Sequence, residues 1–430
     1  MFLRRFDPST IDPLFLVNRK DDLDWLAGAI SEYLRDPDPS AHVSLSFCIV
    51  GEKGVGKTIL TRAALRQARQ QFSDRAIFVE ADCRDFHSAM AVIDALARST
   101  VEGLDGLRKA GTPISNELMS TAQLLAQLTR FWTPQKLSVV HQHIVQFKAA
   151  AGLKGEQHLL KALKLDYQIS VETTTSTSQQ LSGEVTFDEM RLCKLLAALF
   201  EDIRTEDIDV VVYLDNMDEL SHHYRTAEER EKVRADTSTL LLLREARVIF
   251  IVSMRTYYSG ILPRGMTNRR VLRRLNEGEM LAILERRLQP ERPEVKRAVE
   301  EPGVKALVMK LANIAPTPLA FLVWFKVLFE ADAFAENKLG MGVQSFLDTT
   351  YSTVPADVWR RVAAAFPTPE TAITREALLI ACNSNVAELN QIIDRQGVLP
   401  KDFWSPDTYY TLDPELHLIH PAAGGAAPQT

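Results

Sequence analysis

The sequence predicts an α/β protein built on a parallel sheet that carries a phosphate-binding loop. Three observations lead there. VSLSFCIV (43–50) alternates like a strand and runs straight into GEKGVGKT (51–58), after which KTILTRAALRQARQQF (57–72) reads as an amphipathic helix. AIFVEADC (76–83) reads as the next strand, with FHSAMAVIDALARST (86–100) as its helix. VVVYLD (210–215) is a continuous apolar run ending in an acid, the pattern of a strand buried on both faces.

The bulk numbers narrow the class. A chain of 430 residues is long for one core and predicts two or three domains. Apolar residues make up 46% and charged residues 25%, which is an ordinary soluble composition. A net charge of −6 argues against a surface coated for nucleic acid but leaves room for a local basic face. The four cysteines (Cys48, Cys83, Cys193, Cys382) show no metal-ligand or redox spacing, so free thiols are expected. MFLRRFDPST has no apolar core of a secretory signal. PLAFLVWFKVLF (318–329) is too short to span a bilayer and reads as a buried helix. The expectation is a cytoplasmic protein without membrane contact.

The loop comes first along the chain. The pattern G-x-x-x-x-G-K-[ST] is met by Gly51, Gly56, Lys57 and Thr58. Glycines at 51, 54 and 56 let the backbone turn tightly, so that Gly51, Glu52, Lys53, Gly54, Val55 and Gly56 present N–H groups to phosphate oxygens. The following helix adds its positive end. Lys57 reaches the β- and γ-phosphates of ATP, and the Thr58 hydroxyl ligates Mg2+. Such a loop needs an acid at the tip of a neighbouring parallel strand to complete the metal shell, and Asp215 supplies it. By itself YLDNMDEL (213–220) is an acidic turn like many others. The loop upstream turns Asp215 into the metal-side acid.

With these residues in place the chain resembles AAA+-type P-loop ATPases, within them the STAND class and its origin-recognition-like relatives. PLFLVNRKDDLDWL (13–26) is similar to the family's entry segment, with Asn18 in place of its glycine. The resemblance puts Val17 and Arg19 near the adenine. RVIFIVSMR (247–255) is similar to the strand ending in a Thr/Ser-x-Arg motif, which makes Ser253 and Arg255 sensors of the γ-phosphate. RVLRRLNEGEMLAILERRL (270–288) resembles the passage from strand to lid. NIAPTPLAFL (313–322) resembles the segment that opens a lid helix, with Pro318 or Pro316 against the base. The implied fold is a P-loop NTPase parallel sheet core with a helical lid and a C-terminal winged helix.

One departure bears on chemistry. Many relatives carry a glutamate directly after the metal-side aspartate to polarise the attacking water. Asn216 stands there and cannot act as a base. Asp218 or Glu219 could reach the water if the strand end curls, so hydrolysis is expected to be slow, as suits a nucleotide-held switch.

Lys57 and Asp215 stand 158 positions apart, whereas one βα unit and the next strand need only about 30 to 60. Residues 103–187 therefore read as an insertion, helical at first (NELMSTAQLLAQLTRFW, LSVVHQHIVQFKAA) and then a two-stranded ribbon over 165–189. His141 and His143 point to different sides of a helix and do not read as a metal site. Segment 104–165 carries 8 Lys/Arg against 3 Asp/Glu, which makes DNA one possible partner and a structural or oligomer-forming role another. Arg264, Arg269, Arg270, Arg273 and Arg274 form a second basic cluster. In ring-forming relatives such an arginine reaches the next subunit's γ-phosphate, a role open here to Arg264, Arg269 or Arg270; a solvated or DNA-facing edge is the alternative.

The C-terminal part reads as DVWRRVAAAF (357–366), TREALLIACN (374–383) and NVAELNQIIDRQGVL (385–399), three helices, with a turn-containing hairpin at 402–416. That order resembles a winged helix. Its third helix offers Glu388 and Asp394 against Arg395, which favours packing or protein contact over base reading. The expected divisions are an ATPase core (1–275), a helical lid (276–353), a winged-helix-like domain (354–420) and a disordered tail (421–430). The expectation is a regulatory ATPase acting as a switch or assembly platform, through self-association or a partner protein. A bacterial defence role would suit it. The alternatives are a DNA-binding loader, remodeller or transposition helper, and a scaffold that binds nucleotide without turnover.

Overall fold

The structure, a computed structural model, describes residues 16–36, 44–129, 135–136, 184–185, 188–220, 227–264, 266–289, 291, 293–330, 343–344, 346–348, 351–395, 397–402, 404 and 409–419. Five strands form one sheet: β1 (Leu45–Val50), β2 (Ala76–Asp82), β3 (Asp209–Asp215), β4 (Ile249–Met254) and β5 (Asn268–Val271). Their order is β2-β3-β4-β1-β5, and every neighbouring pair is parallel. This is the α/β sheet expected.

Alternation along the strands sorts side chains to two faces. Phe47, Ile49, Val211, Tyr213, Ile249 and Ile251 pack with α1 (Lys20–Arg35) and α2 (Lys57–Phe72). Cys48, Val50, Val210, Val212, Phe250 and Val252 pack with α3 (Ala89–Lys109), α4 (Asn116–Leu128), α5 (Glu189–Arg204) and α6 (Ala227–Leu241). β3 is buried along its whole length. Its one charged residue before the tip, Asp209, is held by Arg204 and, at 3.5 Å, by Arg75, so its burial does not leave a lone charge.

The chain departs from the sequence reading between 100 and 130. The helix expected to end at Thr100 runs to Lys109, because Leu104 and Leu107 continue its buried stripe. α4 also joins this core through Leu118, Leu124, Leu125 and Leu128. Residues 103–128 therefore pack as part of the sheet's helical layer rather than as a separate insert. Arg108 and Lys109, the first basic residues of that segment, bond Asn116 (3.1 Å) and Asp105 (2.5 Å). Glu184–Val185, in the expected ribbon, pairs antiparallel with Gln135–Lys136, outside 165–189. At the ribbon's far end Asp188 caps α5 (Glu189–Arg204), so the helix takes the last expected ribbon residues, while His141, His143 and ribbon residues 165–183 and 186–187 lie outside the described residues.

After β5 come α7 (Glu277–Leu288), α8 (Pro293–Glu300), α9 (Pro302–Ile314) and α10 (Pro318–Glu330). They share an apolar cluster of their own, with Trp324, Phe325 and Leu328 fully buried. α7 starts on a capping box, in which Asn276 caps the Glu279 N–H and Glu279 returns a bond to the Asn276 N–H. The apolar run 318–329 is thus a buried helix, and among the described residues no helix is long and apolar enough to cross a membrane. All four cysteines are buried free thiols.

The C-terminal part holds α11 (Ala356–Ala364), β6 (Ile373–Thr374), α12 (Arg375–Ala381), α13 (Val386–Asp394), β7 (Val398–Pro400) and β8 (Tyr409–Leu412). Its strands form an antiparallel sheet in the order β6-β8-β7. The hairpin expected within 402–416 is displaced: its first strand is Val398–Pro400, of which the sequence reading assigned 398–399 to the third helix. Gly397 ends that helix against Trp359, where a Cβ would come within 2.3 Å of the ring. Pro400 is tolerated because β7 is an edge strand. The tail 421–430 lies outside the described residues.

Candidate functional site at the sheet edge

The parallel strands end at one edge, with Asp82 level with Asp215 and Val50 level with Met254. Loops leaving these tips meet the lid around a cavity of about 410 Å³. Lys53, Gly54, Val55, Gly56, Lys57 and Thr58 line one wall. Gly54 (φ 78°) and Gly56 (φ 103°) hold left-handed conformations that a side chain would strain, and this turns the loop onto the start of α2. The Leu319 N–H donates to the Gly54 carbonyl at 3.3 Å, so the first turn of α10 rests on the loop.

Lys57 Nζ donates to the carbonyls of Gly51 and Glu52, both at 3.0 Å. Burial brings its pKa down to about 8, against the pull of Asp218 and other nearby acids. The Thr58 hydroxyl donates to Asp215 Oδ1 at 3.1 Å. The Ser253 hydroxyl donates to the same oxygen, and the Asn216 N–H reaches it at 3.0 Å. Asp215 Oδ2 is buried and makes no hydrogen bond. An orphaned carboxylate oxygen beside a threonine hydroxyl fits Mg2+, which takes one or two protein oxygens and fills its remaining positions with water and phosphate oxygens. Among the described residues no cluster of three His, Cys, Asp or Glu offers an all-protein metal cage.

The acids beyond Asp215 are occupied. Asn216 adopts a left-handed conformation (φ 50°), and Met217–Glu219 form a single 3-10 turn. That turn carries Asp218 and Glu219 to Arg255. Arg255 donates its N–H to Asp218 Oδ1 (2.8 Å), lies 3.0 Å from Asp218 Oδ2 through Nε, and pairs with Glu219 through its terminal nitrogen. Burial raises the Asp218 pKa despite this partner. Burial also opposes the charge on Arg255, but Tyr257, Asp218 and Glu219 outweigh it and hold its pKa up. Asn216 Nδ2 donates to Asp82 Oδ1 at 3.0 Å. Asp82 is bound by Arg84 as well, through Nε (3.1 Å) and a terminal nitrogen (2.6 Å). Burial would raise the Asp82 pKa; the bonds from Arg84 and Asn216 bring it below the ordinary value.

The far end of the cavity is apolar, with Leu16, Val17, Leu275, Ile283, Pro318 and Leu322. Of the residues expected near a base, Val17, Arg19 and Pro318 line it, whereas Pro316 lies in a separate cavity of about 300 Å³. Arg19 is buried and donates to the Val55 carbonyl at 3.3 Å. Ser253 bonds Asp215, and neither of them lines the cavity, nor do Gly51, Glu52 and Asp218. Glu219 and Arg255 do. Four of the five arginines of the second basic cluster bond within the chain: Arg269 to Ser259 (2.8 Å), Arg270 to Asp22 (2.6 Å), Arg273 to Glu279 (2.6 Å) and Arg274 to Glu52 (3.0 Å). Arg264 is exposed.

Sequence reasoning missed Arg62, Arg84 and Arg287, all of which line the cavity. Arg84 follows the tip of β2 and was within reach of the rule that ligands lie off the carboxyl ends of parallel strands. Arg62 and Arg287 carry no such local signal.

A P-loop between β1 and α2, with a carboxylate at the tip of β3 that keeps one oxygen unbonded, defines a nucleotide-binding ATPase core. The chain belongs to the AAA ATPase domain family, whose model matches residues 24–246, more than half of it. No curated protein matches it. Three solved structures are similar to nearly the whole chain at low identity. The Cdc6p structure from Pyrobaculum aerophilum is 13% identical, with a TM-score of 0.42 over 99% of this chain and 98% of that one. The ORC2 protein of Aeropyrum pernix, in ADPNP–ADP complexes, is 14% identical, with a TM-score of 0.43 over 98% of each chain. The ORC1 protein of the same organism, in complex with DNA, is 11% identical, with a TM-score of 0.45 over 98% of this chain and 96% of that one.

Proposed function

We propose that the chain binds ATP with Mg2+ in the 410 Å³ cavity, hydrolyses it slowly, and acts as a nucleotide-held switch or assembly platform. The observation that carries this is the placement of Lys57 and Thr58, on a loop with two left-handed glycines, opposite the buried carboxylate of Asp215. Lys57 turns from the loop carbonyls to the β- and γ-phosphates, where its charge is stabilised. Thr58 and Asp215 hold the metal, which offsets phosphate charge. The apolar end between core and lid takes the base, so occupancy determines how the lid closes.

The C-terminal part reads as a winged helix used for packing or protein contact. It touches the phosphate loop directly, and this is how the state of the nucleotide would reach a partner or a second copy. The test measures ATP and ADP affinity, phosphate release and molecular size for the unsubstituted protein and Lys57→Ala. Binding and release lost in the variant, with a size that differs between ADP and a non-hydrolysable ATP analogue, is the expected result. Equal phosphate release by both proteins removes the hydrolysis reading, and equal binding removes the site.

A further inference from the structure

Asn216 occupies the place after the metal-side acid and cannot take a proton, so a carboxylate that does so has to come from elsewhere. Three lie close. Asp218 and Glu219 are committed to Arg255, and the Asp218–Arg255 pair is almost wholly buried, with side chains 1% and 4% exposed. Opening such a pair strands charge in the interior. Asp82 is placed differently. It ends β2, level with Asp215 on the adjoining strand, and accepts the Asn216 amide at 3.0 Å. Its other partner, Arg84, is half exposed and lines the cavity. The Asp82 side chain is 13% exposed and stands behind Asn216 rather than in the cavity lining, so the pair opens from its Arg84 end, at less cost than a pair buried at both ends.

We propose that Asp82 is the carboxylate that accepts the proton of the attacking water, with Asn216 as the group that holds that water. This rests on the ATPase reading above. Asn216 faces Asp82 with its amide nitrogen, which turns its carbonyl oxygen away as an acceptor for a water hydrogen. Asp82 and Asn216 together divide between two neighbouring strands the work that one glutamate would do on a single strand. The arriving γ-phosphate draws Arg84 away from Asp82, which frees the carboxylate only when substrate is present. The water oxygen then attacks the γ-phosphorus and its bond to the bridging oxygen breaks. ADP leaves with that bond's electrons, orthophosphate forms, and the water's proton passes to Asp82 and on to solvent. Arg255, fixed by Asp218 and Glu219, remains a stationary positive charge at the cavity wall.

The experiment compares single-turnover hydrolysis, ATP affinity and the nucleotide retained after long incubation with ATP in four proteins: unsubstituted, Asp82→Asn, Asn216→Asp and the double exchange. The expected result is a loss of about a hundredfold or more in Asp82→Asn. Its ATP affinity should stay within about threefold and it should retain ATP rather than ADP. The double exchange, which moves the carboxylate across the same hydrogen bond, should regain at least tenfold of that loss. Regain also excludes misfolding as the cause of the single variant's defect. Turnover by Asp82→Asn equal to the unsubstituted protein overturns the proposal while leaving the ATPase reading intact. A double exchange that binds ATP without regaining turnover overturns it as well, since Asp82 then only anchors Arg84. No turnover by the unsubstituted protein overturns the hydrolysis reading and this inference together.

Discussion

Lys53, on the phosphate loop, and Asp413, just past the last strand of the C-terminal part, form an ion pair at 3.1 Å across 360 positions of sequence. Glu415 shares the same ammonium at 3.0 Å. The Asp413 side chain is fully buried, and the Glu415 carbonyl accepts the indole N–H of Trp324 from α10 at 2.7 Å. Phosphate loop, lid and C-terminal part therefore meet at one charged joint. Lys53→Ala leaves two acids without their cation. The expected cost is about 3 kcal/mol, the low end for breaking a buried pair, because Lys53 keeps some solvent contact. Thermal unfolding checks the magnitude, and limited proteolysis should show the C-terminal part loosened first. An unchanged melting curve would remove the joint from the account of stability.

The state of Lys57 predicts a pH effect on nucleotide binding. Its pKa in the free site is about 8, and a bound triphosphate raises it by direct charge contact. A group whose pKa rises on binding contributes its full affinity below the free value and loses it as pH climbs through the bound value. ATP affinity should be flat from pH 6 to 7 and fall above about 8, with proton uptake on binding at pH 8.5. Calorimetry in buffers of different ionisation heat measures that uptake, and Lys57→Ala should show none.

Gly54 sets the distance between loop and lid. Its φ of 78° disfavours any side chain, and an added Cβ would lie 2.3 Å from Leu319 Cβ. Gly54→Ala should cost about 1–2 kcal/mol in backbone strain alone and push the first turn of α10 off the loop. Weaker nucleotide binding together with a lower melting temperature is expected. Gly106, with nothing within 4 Å of its added Cβ, is the control, and Gly106→Ala should be neutral or mildly stabilising.

The capping box at α7 anchors the lid to the N-terminal segment. Glu279 bonds Arg273 and the Asn276 N–H, and the Asn18 amide also donates to it. Bonding by Arg273, more than the opposing effect of burial, brings its pKa to about 2. A carboxylate with a depressed folded-state value stabilises above its ordinary pKa of about 4.3 and loses that contribution as pH falls towards 2. Asn276→Ala should destabilise by about 1 kcal/mol at pH 7, read by denaturant unfolding. Glu279→Gln should flatten the stability curve between pH 5 and 2.

How much of this was legible before the fold depended on how local the signal was. The loop, its helix and the strand bearing Asp215 are written in short patterns, because glycine conformations, apolar periodicity and helix starts are settled by neighbouring residues. The reading broke down where a boundary depends on distant packing. α3 continues past Thr100 because Leu104 and Leu107 find the core. The last hairpin begins at Val398 because Gly397 lies against Trp359.

The sequence by itself determined a P-loop α/β core, an acid at the tip of another strand of the sheet, and an asparagine where a base is usual. Tertiary structure alone decided which polar side chains answer each other: Asp82 with Asn216, 134 positions apart, Arg255 with Asp218 and Glu219, and Lys53 with Asp413. The reason is physical. Backbone conformation is a property of a few adjacent residues, whereas an ion pair or a bonded amide exists only when strand order and helix packing bring distant side chains within about 3 Å.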